Sequence, residues 1–440
     1  MGAGKSTLGP EVARRLGRPF VSVDEAIERA EGSIWDFFEE RGEAAFREFE
    51  ARFAREVLSA REAAVVELGG GAVETRELMR ELDAFVVHLD ADVDTCWRRV
   101  QGSRRPLARD EGEFRRRFEL RRPLYAEAAD AVAADAEGVI LAAGAVASEL
   151  PELAGAVEVV ADERVLELHD APAAGPVHAV PPGEAAKSAA VAERLWRELR
   201  LDRSGTLVAF GGGCTTDVAG FVAATYLRGV DWVAVPTTLV GQVDAALGGK
   251  TAIDLPEGKN LVGAFHWPAR TVIDAHYLET LPAEQRREGM AEVVKTGLLA
   301  GEPFWELPDA DLVRRCAAFK TAVCLRDPFD RGARQTLNLG HTFAHALEAG
   351  SDGEVTHGSA VALGLIAALR LSGRPTDVVE EVLAPEPVRA DRERAWAALQ
   401  RDKKSTGGDP TLVLLGDDGG YTAALPAADV RRALDELIAA

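Results

Sequence analysis

The sequence predicts an α/β protein with more than one core, on three observations. Strand-like and helical segments alternate over most of the chain, as is typical of parallel sheets. Glycine turns at 69–71 and 211–213 each follow an apolar strand, where parallel sheets place phosphate sites. The periodicity becomes mainly helical from about Glu284. In 440 residues we expect an α/β domain with a parallel sheet, an α/β nucleotide-binding half and a helical metal-binding half, over 1–136, 137–283 and 284–440.

The composition is that of an ordinary folded protein, with 47% hydrophobic and 28% charged residues. A formal charge of −21 argues against nucleic acid or an anionic membrane as a partner. The sequence has neither an apolar run of membrane-spanning length nor a signal peptide. The four cysteines form no CxxC pair and fit a reducing compartment. We therefore predict a cytoplasmic protein that binds small molecules.

Lysine is rare in this chain, because only eight of the 51 basic residues are lysine and the others are arginine. Where arginine supplies the routine surface charge, lysine should remain mainly where a compact ammonium group or a movable pKa is needed. Chance survival is the alternative. The positions to watch are Lys5, Lys187, Lys250, Lys259, Lys295, Lys320, Lys403 and Lys404.

The first domain opens on the loop "MGAGKST", which precedes a helical pattern over residues 7–16. A short strand ending at Asp24, a helical stretch over 34–60 and the strands in "AAVVELGGGAV" and "DAFVVHLDA" follow. In the loop, Lys5 would reach the β- and γ-phosphates of a nucleotide, and the Ser6 hydroxyl would ligate Mg²⁺. A glycine turn arising by chance is the alternative, but the strand–glycine pattern that recurs downstream favours phosphate binding.

Residues 1–136 resemble shikimate kinase, a small P-loop kinase. The motifs "MGAGKST", "VDEAIE", "GEAAFREFE", "LGGGAV", "RRPL" and "RRPLYAEAAD" occur in that family's order and spacing. The resemblance implies that Asp24 holds the shikimate hydroxyl that attacks the γ-phosphate, and that the turn at Gly70 approaches the substrate. It also implies that Arg47 and Arg121 grip the substrate carboxylate.

The charged stretch 102–118 looks like a mobile lid that would bring Arg105 onto the transferred phosphate, with a solvated charged face as the alternative. The implied ATP site comprises Gly2, Gly4, Lys5, Ser6, Thr7 and Arg105, with Mg²⁺ at Ser6.

The chain departs from the kinase family at two points. Ser22 stands where an aspartate usually supports the water shell of the metal. The first glycine of the loop and the strand before it are absent. We expect that Met1 is a misplaced start and that these residues alone turn over little or no ATP; a decayed, non-catalytic kinase kept as a scaffold is the alternative.

The rest of the chain begins without a long linker near Glu137, and its strands and helices again alternate. "VEVVADERV" and "DWVAVPTT" read as strands, "PPGEAAKS" opens a helix, and "GTLVAFGGGCTTDVAGFVAATYLRG" reads as strand, turn and helix. The turn 211–213 would let a pyrophosphate approach the backbone, although a purely structural turn explains three glycines equally well.

A metal site is indicated by histidine spacing. "NLGHTFAH" places His341 and His345 one helical turn apart, and His357 follows twelve residues later. "GMAEVVK" presents Glu292 and Lys295 on one helical face. Imidazole and carboxylate together suit Zn²⁺ with an open coordination position. The alternative, that three histidines within seventeen residues only pack in a core, is less favoured because histidine is rare in this chain.

This second part resembles 3-dehydroquinate synthase over nearly its whole length. The matching stretches are "PPGEAAKS", "GFVAATYLRGV", "VPTTL", "VDAALGGKTAID", "GKNLVGAFHWP", "LETLP", "GMAEVVKTG", "LNLGHTFAHALE", "HGSAVALG" and "RDKK". The resemblance implies that Glu292, His341 and His357 bind Zn²⁺ (or Co²⁺) and that His345 faces the substrate. It implies an NAD site at Glu184, Lys187, Gly213, Asp217, Thr237 and Thr238, with Lys250 and Lys259 close by.

The implied reaction is a closed redox cycle on a seven-carbon sugar acid phosphate, in which phosphate is eliminated and the carbocycle closes by an aldol step. The substrate phosphate would meet Lys250, Asn260, His345, Lys403 and Lys404, and Arg228 could reach it across a dimer interface. The carboxylate would meet Lys320 and Arg334, and the hydroxyls would meet Asp244, Lys295 and Asn338. A homodimer is the family's expectation.

Three departures from the synthase family bear on NAD affinity: Thr216 and Ser359 replace the usual residues, and the stretch between Asp162 and Pro181 is short. The rival enzymes are cyclases acting on sedoheptulose phosphates and metal-dependent polyol dehydrogenases. A carboxylate clamp of Lys320 and Arg334 argues against the first, and a lysine-rich phosphate pocket argues against the second. The sequence thus predicts two fused enzymes of the shikimate pathway of aromatic amino acid biosynthesis.

Overall fold

The computed structural model describes residues 2–59, 63–103, 107–351, 354–402 and 409–439. Its contacts divide the chain into two compact units, Met1–Gly144 and Ala145–Ala440. The domain boundary predicted at residue 136/137 stays a prediction; it falls in a helix, residues 136–143, that packs within the first unit. Of the helices formed by the described residues, none combines the length and apolar character needed to cross a membrane.

The first unit pairs short parallel strands and surrounds them with helices. Its strands are β1 (Phe20–Ser22), β2 (Val65–Glu67), β3 (Val87–Leu89) and β4 (Ala131–Ala133). The strands pair as β1 with β2 and β3 with β4, in both cases parallel. The helices are α1 (Lys5–Leu16), α2 (Val23–Glu31), α3 (Ile34–Leu58), α4 (Arg76–Glu81), α5 (Val93–Val100), α6 (Glu111–Ala128) and α7 (Ala136–Ala143).

Local sequence explains where these helices begin and bend. Gly4, with φ of 102°, precedes α1 in the left-handed conformation that glycine tolerates best. The Ser22 hydroxyl caps α2 by accepting from the Glu25 amide at 3.4 Å. The stretch predicted to be helical over 34–60 is α3, but Gly42 interrupts it with φ of 80°. The core of the unit packs α2 and α3 together through Ile27 and Phe46 among others.

The second unit is built on a parallel sheet of six strands, in the order β5-β12-β9-β8-β6-β7. Strand β8 is buried along its length, and its alternate residues enter two different hydrophobic clusters, Leu207 and Ala209 in one and Val208 and Phe210 in the other. The sheet strands are β5 (Val146–Ala147), β6 (Val157–Asp162), β7 (Val177–Val180), β8 (Thr206–Gly211), β9 (Asp231–Pro236) and β12 (Arg270–Val272).

Two antiparallel hairpins accompany the sheet: β10 (Lys250–Leu255) with β11 (Gly258–Phe265), and β13 (Thr411–Gly416) with β14 (Gly419–Ala424). A largely helical region follows β12, and its core includes Leu339, Phe343 and Leu365. The helices of the unit are α8 (Glu163–Leu166), α9 (Ala189–Glu198), α10 (Gly213–Thr225), α11 (Ala283–Ala300), α12 (Asp309–Arg326), α13 (His341–Gly350), α14 (His357–Leu371), α15 (Asp377–Leu383), α16 (Arg392–Asp402) and α17 (Ala427–Asp435).

Single-turn helical segments connect the longer elements. They are Ala72–Glu74, Gly183–Ala186, Tyr226–Arg228, Gly241–Ala245, Ala275–Thr280, Phe304–Glu306 and Ala333–Asn338. Parallel α/β sheets in both units, followed by a helical region in the second, confirm the predicted fold class.

Candidate active sites

Three predicted metal ligands of the second unit converge. Glu292 lies in the middle of α11, and His341 and His357 are the first residues of α13 and α14. Glu292 Oε1 lies 3.2 Å from His341 Nε2 and 3.3 Å from His357 Nε2. One ligand atom from each residue lies within 4.8 Å of the other two. One carboxylate and two imidazoles at these separations form a donor set that can close around a single divalent cation.

Close packing of α13 against α14 sets the spacing of the two imidazoles. Gly340, with φ of 79°, lies against Gly364, and a Cβ atom at Gly340 would lie 2.9 Å from the Gly364 carbonyl carbon. The helices therefore approach more closely than any larger side chain would permit.

A carboxylate and a backbone carbonyl orient the two imidazoles through their Nδ1 atoms, and a second carboxylate holds the start of α14. Glu348 Oε1 accepts from His357 Nδ1 at 2.8 Å, and the Leu339 carbonyl accepts from His341 Nδ1 at 3.2 Å. Both Nε2 atoms are thereby turned toward Glu292. Glu288 accepts from the Gly358 amide at the start of α14, which fixes the helix that carries His357.

The ligand cluster is strongly charged. Against the opposing effect of burial, hydrogen bonds to Glu292 and Glu348 raise the pKa of His357 to about 10. Burial lowers the pKa of His341. Burial opposes ionisation of Glu292, but nearby Lys295 holds the pKa of that carboxyl well below its ordinary value. The raised pKa indicates that the His357 imidazole is protonated near neutral pH, so that a bound metal would have to displace this proton.

A second charged cluster adjoins the first through Lys295. Lys295 contacts both Glu292 and Asp244, the latter at 3.7 Å. Lys320 Nζ lies 2.7 Å from Asp244 Oδ1 and donates to the Asp244 carbonyl. Although burial raises it, the two lysines lower the pKa of Asp244 overall. Three residues predicted to hold substrate therefore lie together beside the candidate metal ligands.

Arg334 and Asn338 lie in the segment Ala333–Asn338 that leads toward α13. Arg334 is buried, and its guanidinium donates to the Gly248 carbonyl at 2.8 Å and the Pro328 carbonyl at 3.3 Å. Neutral acceptors leave the positive charge of this side chain available to an anion.

The predicted dinucleotide residues gather at the carboxyl ends of β8 and β9. Helix α10 begins at Gly213, and Thr237 and Thr238 follow β9. The Thr237 amide donates to the Gly211 carbonyl at 2.9 Å. The Thr237 hydroxyl is buried, and no hydrogen-bond partner for it is found among the described residues. A buried hydroxyl of this kind at a glycine turn suits a ligand that brings polar atoms to the strand edge.

Four other residues predicted to lie at the NAD site form two ion pairs, Lys187 with Asp217 at 2.8 Å and Lys259 with Glu184 at 3.1 Å. Burial raises the pKa of Asp217 to about 6, because its effect is larger than the opposing effect of the nearby Lys187 ammonium group. Lys187 also donates to the Asn260 side chain at 2.5 Å. Asn260, expected near the substrate phosphate, is therefore placed with the dinucleotide group.

The other predicted phosphate residues that the structure describes lie on different elements of the second unit. Lys250 pairs with Asp330 at 2.5 Å and lies opposite Phe265, whereas Asn260 lies toward the far end of the same hairpin. His345 lies beside His341, with ring centroids 5.8 Å apart. Arg228 ends a turn in the left-handed conformation, with φ of 70°. Lys403 and Lys404 lie outside the described residues.

In the first unit, the phosphate loop turns through Gly2 and Gly4, both with positive φ, into α1, which begins at Lys5. Arg99 donates to the Gly2 and Ala3 carbonyls at 3.2 and 3.1 Å and so fixes the loop from its carbonyl side. Thr7 and Ser6 occupy the first turn of α1, where backbone amides can meet an anion.

The residues predicted to bind shikimate lie around the glycine turn 69–71 of the first unit. Asp24 lies against Gly69, and the Arg47 guanidinium lies against Gly71. Arg121 pairs with Glu74 at 3.0 Å, and Arg47 approaches the same carboxylate at 3.6 Å. The Tyr125 hydroxyl donates to the Gly70 carbonyl at 2.5 Å, and Arg105 lies outside the described residues.

Sequence reasoning missed several carboxylates that the structure places at these sites. Glu348 follows His341 by seven residues and Glu288 precedes Glu292 by four, so each shares a helical face with a predicted ligand. That spacing was the available signal. Glu74, which pairs with Arg47 and Arg121, carried no such signal, because only the fold brings it next to these arginines.

Family models match all three parts of the chain. The shikimate kinase model matches residues 1–150, the 3-dehydroquinate synthase N-terminal model matches 177–288, and the C-terminal model of the same enzyme matches 289–405.

Among curated proteins, the 3-dehydroquinate synthase of Latilactobacillus sakei is 45% identical over 46% of this chain and 61% of its own length. That of Thermobifida fusca is 42% identical over 54% of this chain and 73% of its own. The chain thus spans under two thirds of the first relative and nearly three quarters of the second. A crystal structure of 2-deoxy-scyllo-inosose synthase with carbaglucose-6-phosphate, NAD⁺ and Co²⁺ is 24% identical, with a TM-score of 0.56 over 64% of this chain and 90% of that one, and shows the fold.

Proposed function

The chain belongs to the family of 3-dehydroquinate synthases, joined here to a shikimate kinase domain, and from this we propose that its second unit converts 3-deoxy-arabino-heptulosonate 7-phosphate into 3-dehydroquinate with release of phosphate. The observation that carries the proposal is the convergence of Glu292, His341 and His357 next to the cluster of Asp244, Lys295 and Lys320.

The residues present fit the two groups that this reaction needs. Glu292, His341 and His357 would hold a zinc or cobalt ion, which when bound would acidify a substrate hydroxyl. The turn at Gly213 and the buried Thr237 hydroxyl, with Lys187 and Asp217, would hold NAD, which would accept a hydride and later return it. No electrons are gained or lost over the full cycle.

The side chains of the cluster would bind and orient the substrate. Arg334, which donates to neutral carbonyls, would bind the substrate carboxylate together with Lys320. Lys295 and Asp244, whose charged groups lie 3.7 Å apart, would hold the ring hydroxyls together with Asn338. Lys250 and His345 would meet the phosphate, and Asn260 would do so only after leaving Lys187.

The test is the release of inorganic phosphate from the heptulosonate phosphate with catalytic amounts of NAD. We expect many phosphates released per NAD and no accumulation of NADH. Net NADH formation would instead indicate a polyol dehydrogenase, and turnover of sedoheptulose 7-phosphate in preference would indicate a related sugar-phosphate cyclase.

For the first unit we propose ATP-dependent phosphorylation of shikimate, with the low turnover expected of these 440 residues alone. The arginines predicted to clamp the shikimate carboxylate already converge on a carboxylate, that of Glu74. Lys5 and Ser6 begin the helix that would meet the nucleotide phosphates. The test is ADP formation that depends on shikimate, with Lys5→Ala as the control; equal ADP formation with and without shikimate would contradict it.

A further inference from the structure

In the candidate kinase site, Ser22 stands at the position where the shikimate kinase family usually carries an aspartate that supports the metal. A P-loop kinase holds magnesium with the loop serine and a carboxylate from a neighbouring strand end. Ser22, at the end of β1, offers a hydroxyl, which already accepts from the Glu25 amide as the cap of α2. Ser22 therefore does not supply the negative charge that a divalent cation requires.

A carboxylate stands on the adjacent strand at the same level. Glu67 is the last residue of β2, and the parallel pairing of the two strands sets it opposite Ser22. It is only 9% exposed. Glu67 Oε1 accepts from the Ser6 hydroxyl at 2.8 Å, so the carboxylate already contacts the loop serine.

The second oxygen of the Glu67 carboxylate is left without a hydrogen bond by the part of the chain that the structure describes. Glu67 Oε2 is buried, and among the described residues nothing donates a hydrogen bond to it. A buried carboxylate oxygen left unpaired is costly, so its retention beside a phosphate loop points to a cation. Carboxylate and hydroxyl oxygens are the donors that Mg²⁺ and Mn²⁺ prefer.

We propose that Glu67, with Ser6, positions the divalent metal of the bound nucleotide, so that the acidic group has moved across the strand pair from the position of Ser22 to that of Glu67. The inference rests on the proposed kinase function of the first unit. It makes Glu67 a positioning residue for the metal rather than a group that touches shikimate.

The test measures metal binding without turnover, on the full chain with Mn²⁺ as the probe. Electron paramagnetic resonance reports the Mn²⁺ affinity of the protein–ADP complex, and calorimetry reports ADP affinity without metal. We expect Glu67→Gln to weaken Mn²⁺ binding by about 10- to 100-fold, as losses of metal-orienting groups do, while metal-free ADP affinity is unchanged. Glu11→Gln, the same exchange at a residue of α1 whose carboxylate pairs with Arg15, should change neither.

A double variant tests whether the position of the charge matters. Because aspartate is as good a cap as serine, Ser22→Asp with Glu67→Ser should keep α2 intact and restore most of the Mn²⁺ affinity. Unchanged Mn²⁺ affinity in Glu67→Gln, or an equal loss of metal-free ADP binding, would overturn the role of Glu67 alone. If the wild-type chain bound no ADP with or without Mn²⁺, the proposed kinase function would fail, and this inference with it.

Discussion

The two units hold their functional side chains in different ways. In the second unit, Glu292 and Lys295 are 1% and 2% exposed and lie on a long helix packed among others, so the core fixes them. In the first unit, Arg121, which is 3% exposed, and Arg47 lie at a glycine turn beside strands of three residues, and both pair with Glu74. Arg47 also pairs with Glu50 at 2.6 Å. The comparison indicates that a long packed helix positions the candidate synthase residues, whereas ion pairs beside short strands position the candidate kinase residues.

The largest effect should come from removing one metal ligand. His341→Ala leaves two donors, and we expect loss of bound metal and a fall in phosphate release of roughly a thousandfold, since a catalytic metal supplies several kcal/mol. Metal content and phosphate release measure this. The exposed His276 provides the matched control, because His276→Ala should change neither. Full metal content in His341→Ala would break the comparison at its deeper site.

A smaller effect should follow from loosening a ligand without removing it. Glu348→Gln keeps the shape of the side chain but weakens the bond that orients His357. We expect the zinc affinity to fall by about 10- to 100-fold, measured by competition with a chelator. Glu354→Gln, on an exposed residue nearby, is the control and should bind zinc like the wild type. Equal affinities in both variants would show that helix packing alone orients the imidazole.

The pH dependence sharpens the same point. The pKa of His357 is raised from its ordinary value to about 10, so metal-free protein holds a proton there that metal binding must release. The stability from this protonated group is complete below about pH 6.5 and is lost as the pH rises through 10. At pH 8 we expect zinc binding to release roughly one proton, measured by calorimetry in buffers of different ionisation enthalpy.

His357→Ala should abolish most of that proton release, and Glu348→Gln should reduce it. Release that is independent of both substitutions would place the proton on another group.

The smallest effect is expected in the first unit. Burial opposes ionisation of Glu74, but Arg121 and Arg47 hold the pKa of its carboxyl below the ordinary value. Glu74→Gln removes a charge that a substrate carboxylate would otherwise displace. Because Glu74 is partly exposed, we expect shikimate affinity to rise only about two- to fivefold, the scale of a partly exposed ion pair. Calorimetry measures it, and weaker binding would mean that Glu74 positions the arginines.

Much of the molecule follows from its sequence. The α/β class, the fusion of kinase and synthase and the enzyme class were predicted and are confirmed. Local pattern suffices there, because strand–glycine–helix signals and long matched motifs specify both backbone and family. Histidine spacing indicated a metal site, and the family resemblance implied Glu292, His341 and His357 as its ligands. The structure brings these three together, while their binding of a metal stays a prediction.

What the sequence did not reveal depends on contacts between distant segments. Asn260 lies against Lys187 because the hairpin of β10 and β11 has a register that no local motif encodes. Glu67, at the end of β2, meets Ser6, in the first turn of α1, although 61 residues separate them in sequence. Side-chain placement of this kind follows from packing and register, which periodicity does not report.

The close contact of Gly340 with Gly364 links metal retention at the candidate site to the packing of the helices. Because no side chain separates α13 from α14 where Gly340 meets Gly364, a shift of one helix against the other should move the imidazole at its start as well. Whatever swells or loosens the interior of the helical region should therefore be felt as a change in metal retention. In this enzyme, a chelator assay would serve as a gauge of core integrity.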